Sequence, residues 1–244
     1  DLEMRRQDNL VRVWEVASGR LAYKLAGHRD AVVSADFSPD GKYVVTASYD
    51  KTARVWEVET GKAIAELREH QDRIRYAAFS SNGKFIVTTS DDGSAMVSEA
   101  ITGQVIAVLR GHTGMVTNAA FSPDSKFVVT ASQDKTARLW DVGSTTNVIT
   151  LTGHKDFVSA VAFSPDSKYI ATAGRDREAK VWDAATGNLL TSFQRHQDYI
   201  NSVAFSPDGK FVVTASRDKT AQVWETLTGK SAFPLEGHKE YLKS

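Results

Sequence analysis

The sequence predicts an all-β fold, a β-propeller of four-stranded antiparallel blades, and three observations predict it. Histidine occurs six times in 244 residues, at His28, His70, His112, His154, His196 and His238, each 42 residues after the last. Tryptophan keeps the same lattice at Trp14, Trp56, Trp140, Trp182 and Trp224, with one vacancy at Ser98, and Phe37, Phe79, Phe121, Phe163 and Phe205 keep it too. Within a unit no stretch sustains helical periodicity, while short β-branched runs alternate with turn residues. An unbroken period means one supersecondary unit copied and stacked.

The strands of a unit can be taken in order. Residues 31–37 are small and apolar and stop at Ser38-Pro39-Asp40-Gly41, where Pro fits the second turn position and Asp or Gly tolerates the positions after it. Residues 42–48 are almost continuously apolar, as suits a strand covered on both faces. Tyr49-Asp50-Lys51 turns the chain into 52–58, where apolar and polar residues alternate. Thr60-Gly61 then leads to 62–67, which carries more charge. One such meander cannot bury both its faces, so the copies must pack face to face. The Ala- and Val-rich first strand suits a crowded position near a central axis. The polar fourth strand, with Pro234 in its last copy, suits an outer edge. Wedge-shaped sheets packed radially make a propeller.

Composition narrows the function. Thirty Lys+Arg balance thirty Asp+Glu, which argues against wrapping nucleic acid or coating anionic lipid by bulk charge. The absence of Cys removes thiolate catalysis and Cys-ligated metals. No apolar run approaches the roughly 20 residues of a membrane helix. One His per blade leaves none paired at metal-ligand distance, and neither a Gly-rich phosphate loop nor an unpaired acid dyad is evident. The expectation is a cytoplasmic protein without catalytic residues, metal or cofactor.

Gly-His at 27–28, 111–112, 153–154 and 237–238, the Ser-Pro-Asp turn, the Asp of the second turn, and Trp-Glu or Trp-Asp at 56–57, 140–141, 182–183 and 224–225 resemble the WD-repeat β-propeller family. The resemblance spans essentially the whole chain. The near-duplicate copies are similar to bacterial-type tandem arrays, which often adjoin signalling enzymes. Five complete copies begin near His28, His70, His112, His154 and His196. A third strand at 10–16, with Asp8 and Trp14 in register, a fourth at 20–25, and a short start after Gly237-His238 flank them. Residues 1–244 are therefore expected to form a single propeller domain incomplete at one or both ends. Seven blades, the family's usual number, is the preferred total, and a six-bladed ring with an incomplete closing blade is the alternative. Unpaired terminal edges would favour self-association.

Four residues recur as a set. They are His28, Thr46, Asp50 and Trp56; His70, Thr88 and Asp92, without the Trp; His112, Thr130, Asp134 and Trp140; His154, Thr172, Asp176 and Trp182; and His196, Thr214, Asp218 and Trp224. Hydroxyl, imidazole and carboxylate can imitate a catalytic triad, but a catalytic site is normally built once. The resemblance implies instead a buried relay from the indole N–H through Thr and His to Asp. The unit from His70 departs further, with Glu69, Ser81-Asn82 and Ser98-Glu99 at motif positions.

Recognition must come from the residues that differ between copies. The resemblance implies that partner contacts come from the third and fifth residues after each His and the residue before each turn Asp. These are Ala31, Val33 and Tyr49; Arg73, Arg75 and Asp91; Met115, Thr117 and Gln133; Phe157, Ser159 and Arg175; Tyr199, Asn201 and Arg217; and then Tyr241 and Lys243. Within that set Tyr49, Arg73, Arg75, Met115, Gln133, Phe157, Arg175, Tyr199, Asn201 and Arg217 are the expected partner-binding face. Arg and aromatics dominate interface hot spots, and Arg around an apolar centre favours an acidic protein or peptide. A nucleic-acid or phospho-ligand reader using the same arginines is an alternative reading. The sensor region of a larger signalling enzyme is another.

Overall fold

The computed structural model describes residues 9–235 and 237–242, and every regular element there is a strand. β1 (Val11–Trp14) and β2 (Leu21–Leu25) form a two-stranded sheet. Five four-stranded meanders come after it. The first holds β3 (Val32–Phe37), β4 (Tyr43–Ser48), β5 (Ala53–Glu57) and β6 (Ala63–Leu67), and the second β7 (Ile74–Phe79), β8 (Phe85–Ser90), β9 (Ser94–Glu99) and β10 (Val105–Arg110). The third holds β11 (Val116–Phe121), β12 (Phe127–Ser132), β13 (Thr136–Asp141) and β14 (Asn147–Thr152), and the fourth β15 (Val158–Phe163), β16 (Tyr169–Gly174), β17 (Ala179–Asp183) and β18 (Leu189–Phe193). The last is β19 (Ile200–Phe205), β20 (Phe211–Ser216), β21 (Ala221–Glu225) and β22 (Ser231–Leu235). Every pairing is between neighbours in sequence and antiparallel.

Most strands are one or two residues shorter than the apolar runs suggest. Lys42 and Val58, expected inside strands, instead close the turn side of the first meander through Val58 N–H to the Lys42 carbonyl at 2.8 Å. Asp8 and Lys243 lie outside the described residues. The turn after each first strand places one residue in the left-handed region, at Gly41, Gly83, Ser125, Ser167 and Gly209, with φ between 60° and 70°. Glycine meets that conformation without a Cβ clash, so Ser125 and Ser167 are the two strained copies.

The core lies between sheets. Val45, Ala53 and Val55 of one meander pack against Ile74, Ala77, Phe79 and Ile86 of the next. Each lattice Trp covers the sheet before it: Trp56 meets Val13 and Leu25, Trp140 meets Val97 and Leu109, and Trp182 meets Val129 and Leu151. Trp224 stacks on Phe193 with ring centroids 5.0 Å apart. Among the described residues Trp14 has no preceding sheet to cover, and it stands 55% exposed. Successive first strands β3, β7, β11, β15 and β19 pack side by side, so each meander directs its first strand inward. Among the described residues no strand of the first sheet pairs with one of the last, and the ring is not closed.

Candidate functional site

The relays set the frame that positions everything else. In the first unit the Trp56 indole donates to Thr46 Oγ1 at 2.9 Å, Thr46 Oγ1 lies 2.8 Å from His28 Nε2, and His28 Nδ1 lies 2.9 Å from Asp50 Oδ2. A carboxylate only accepts, so Nδ1 carries the proton, Nε2 accepts the Thr hydroxyl, and Thr accepts the indole. Every donor in the chain then has an acceptor if the imidazole is neutral. Burial, the larger influence, does hold His28 and His112 below the ordinary 6.5, against the pull of Asp50 and Asp134. Burial alone would raise the Asp50 carboxyl, but Thr52, the Arg29 N–H, His28 and the Thr52 N–H together bring it down to about 2.

The same geometry holds at Thr130, His112, Asp134 and Trp140, at Thr172, His154, Asp176 and Trp182, and at Thr214, His196, Asp218 and Trp224. In the fifth set Thr88, His70 and Asp92 are joined, but Ser98 supplies no indole. Thr46, Thr130, Thr172 and Thr214 have no exposed surface, so no substrate reaches these hydroxyls. Both nitrogens of each relay imidazole are engaged and unavailable to a metal.

A backbone device aims the variable residues. In each meander the pairing of first and second strands skips one residue: Val32 pairs with Ser48 and Ser34 with Ala47, leaving Val33 unpaired. Arg75, Thr117, Ser159 and Asn201 are skipped in the same way. Such a bulge bends the strand and re-aims its side chain. All five bulge residues line one cavity of about 600 Å³, joined by Tyr49, Met115, Phe157, Val158, Arg175, Arg217 and Tyr241. Residues from all five units thus converge there.

The cavity wall has two unlike sides. Arg75 is fork-bonded to Asp91, Nε to Oδ1 at 2.6 Å and one terminal nitrogen to Oδ2 at 2.9 Å, and it also donates to the Tyr49 hydroxyl at 2.9 Å. Tyr49 carries Arg73 and Arg75 over its ring at 5.1 and 5.0 Å. Across the cavity Arg175 lies 4.7 Å from the Phe157 ring centroid and 5.5 Å from that of Tyr199. Arg217 lies 5.6 Å from Tyr199 and 5.4 Å from Tyr241. Each contact of this kind contributes about 0.5–1 kcal/mol at an exposed site.

Of the ten expected face residues, Tyr49, Arg75, Met115, Phe157, Arg175, Asn201 and Arg217 line the cavity. Tyr199 holds two of the arginines, Arg73 stands exposed beside Tyr49, and Gln133 is half-buried away from the wall. The Asn201 amide, while lining the cavity, also donates to the Leu242 carbonyl at 2.5 Å. Thr117 likewise donates to the Val158 carbonyl at 2.8 Å, and Ser159 to that of Ile200. These side chains staple one inner strand to the next. Sequence reasoning also missed Asp91 as the counter-charge of Arg75, although a carboxylate before the turn Asp occurs only in that unit.

Other cavities follow the lattice. One of about 440 Å³ is lined by Phe127, Tyr169, Asp183 and Ala184, and one of about 430 Å³ by Tyr169, Phe211, Glu225 and Thr226. The second is the first moved on by one unit, a groove that the repeat itself generates.

A family model for the WD domain, G-beta repeat, matches residues 19–57, 61–97, 103–141, 145–183 and 187–225. Each match straddles two sheets, taking the outer strand of one and the three inner strands of the next. The second match stops at Val97, one residue before the missing Trp, while the other four run through Trp-Glu or Trp-Asp. Repeats of this kind generally mediate protein–protein interaction. With five such repeats over most of its length, the chain belongs to the WD40 family.

Proposed function

We propose that this chain is an interaction scaffold that binds a protein or peptide segment in the cavity bounded by the five bulges. The observation that carries the reading is convergence. The residues that differ from unit to unit meet in one place, whereas the repeated His, Thr, Asp and Trp are spent on buried relays. A repeated residue can only support the fold five times over, while a unique one can discriminate. Tyr49, Met115 and Phe157 supply adaptable apolar surface, and Arg175 and Arg217 supply charge beside aromatic rings, the composition of binding hot spots. The uncompensated arginines favour an acidic segment.

Selection of random peptides displayed on phage against the immobilised protein tests this. The recovered peptides are expected to lose at least about tenfold in affinity when Arg175, Tyr199 and Arg217 are all replaced by Ala, with the melting temperature within a few degrees of the parent. Peptides indifferent to that variant but displaced by Tyr169→Ala, in the lattice groove, would move the site to the perimeter.

A further inference from the structure

We propose that Arg138 is a docking point for an aspartate or glutamate side chain of a protein partner, at the outer seam between the second and third meanders and apart from the central cavity. The first meander supplies the internal template. There Arg54 on β5 pairs with Glu66 on β6, and one terminal nitrogen of Arg54 donates to Glu66 Oε1 at 2.9 Å. Arg138 on β13 is placed in the same way. Each guanidinium carbon lies 6.0 Å from the ring centroid of the Trp two residues on, Trp56 or Trp140. One terminal nitrogen of each stands 2.7 Å from where a Cβ would lie on the glycine before the relay His, Gly27 or Gly111. Opposite Arg138, however, β14 presents Thr150 in place of a carboxylate. Among the described residues the Arg138 guanidinium makes no ion pair or hydrogen bond, and its Nε is buried without a partner.

The lattice confines this lack to one unit. At the positions of Arg54 and Glu66 the second meander has Met96 and Val108, and the fifth has Gln222 and Pro234, so neither carries a charge there. The fourth has Lys180 opposite Ser192, and Lys180 takes its counter-charge from Glu178. Among the described residues of the five meanders, Arg138 alone keeps a charge at this position that no carboxylate answers. Its guanidinium, set beside the Gly111 backbone and the Trp140 ring, is already in the pose that meets Glu66 in the first meander. A planar fork held in place receives a carboxylate at little ordering cost, and a single fork matches the two oxygens and one charge of that group. The surroundings agree in sign. β14, Asn147–Thr152, brings no charged residue, and exposed Arg110 beside Gly111 adds a second cation to the seam. Val148 on the same strand is 50% exposed and gives an arriving segment an apolar footing.

The test selects random displayed peptides against the full chain carrying Arg175→Ala/Tyr199→Ala/Arg217→Ala, so that the central cavity makes no contribution. The recovered peptides are expected to share an acidic residue whose replacement by Asn or Gln lowers affinity at least about tenfold. The same loss is expected in Arg138→Met, a side chain that Met96 shows the lattice position to accept, and in Thr150→Glu, which supplies the carboxylate from within. Ser192→Glu adds the same charge one unit on and should leave affinity within about twofold. Thr150→Glu should also raise the urea midpoint, whereas a midpoint no higher than the parent's would show that the Arg138 fork is not poised for a carboxylate and would overturn the proposal. Peptides that bind without an acidic residue, or whose binding survives Thr150→Glu, would overturn it as well, and so would the recovery of none. The cavity reading is tested on the parent chain and stands or falls separately.

Discussion

At the scale of single residues, the fourth unit shows two departures that explain each other. In the other four relays the second oxygen of the Asp accepts a hydroxyl two residues on, from Thr52, Ser94, Thr136 or Thr220, at 2.6 Å. The fourth has Glu178 there, whose carboxylate turns to Lys180 and to Gln194. Asp176 compensates by turning both oxygens to His154 Nδ1, at 3.1 and 2.9 Å. Room for that turn comes from Gly174, which stands where the others have Ser48, Ser90, Ser132 or Ser216. A Cβ on Gly174 would meet Asp176 Oδ1 at 2.8 Å, the Phe157 carbonyl at 2.9 Å and His154 Nδ1 at 3.0 Å. Gly174→Ser alone is therefore expected to lower stability. Glu178→Thr alone is also expected to lower it, because Lys180 is buried and loses its counter-charge. The double variant should recover about 1–2 kcal/mol relative to the sum of the singles, since the Asp can return to the common pose. Urea unfolding of the four proteins measures this coupling, and additivity within about 0.3 kcal/mol would make the two positions independent.

At the scale of one sheet, the unit from His70 keeps its strands but loses part of their support. β8 and β9 pair over five positions, from Phe85 with Glu99 to Thr89 with Ala95, so the ladder is intact. The missing indole leaves Thr88 without its donor, and the Ser98 and Thr89 hydroxyls are buried with no partner. Buried polar groups left unpaired cost about 1–3 kcal/mol each, and the absent ring forfeits an aromatic burial of about 2–4 kcal/mol. Hydrogen exchange is expected to be faster in residues 82–99 than in the equivalent residues 124–141, and equal protection would mean that the sheet has repacked around the loss. Strand number, order and pairing were legible in the sequence because turn residues and β-branched runs recur with the period. The strand ends were not, since Lys42 and Val58 flank the apolar and alternating runs without a break in the pattern while their backbone groups belong to turns. The bulges and staples were illegible for a different reason. A donor such as Thr117 finds its acceptor in the next unit, 41 residues away, and nothing local marks which carbonyl lies opposite.

At the scale of the molecule, the relays make stability a function of pH. Hydrogen bonds outweigh burial and hold Asp50 and Asp218 at about 2, and hold Asp92, Asp134 and Asp176 below the ordinary 3.8. For a depressed carboxyl the stabilisation is complete above the unfolded value and is lost as pH falls through the folded one. This contribution therefore holds above about 4 and disappears toward about 2. Burial places His28 and His112 below 6.5, so under acid the unfolded chain takes up their protons before the folded one does. That loss begins below pH 6.5 and has the same sign. Asp36 opposes it, because burial raises its carboxyl above 3.8 and favours proton uptake by the folded state. It is one group against the seven of the relays. The urea midpoint is thus expected to be level from pH 8 to about 7, to decline gently below about 6.5, and to fall steeply below about 4. Because each sheet buries its faces only against its neighbours, a relay that fails weakens two interfaces at once. Asp134→Asn should blunt the steep limb, whereas the gentle limb should persist while His112 stays buried. A midpoint that stays constant from pH 7.5 to 3 would mean that the relays carry no net charge-linked stability, and the lattice of imidazoles would then be held by packing alone.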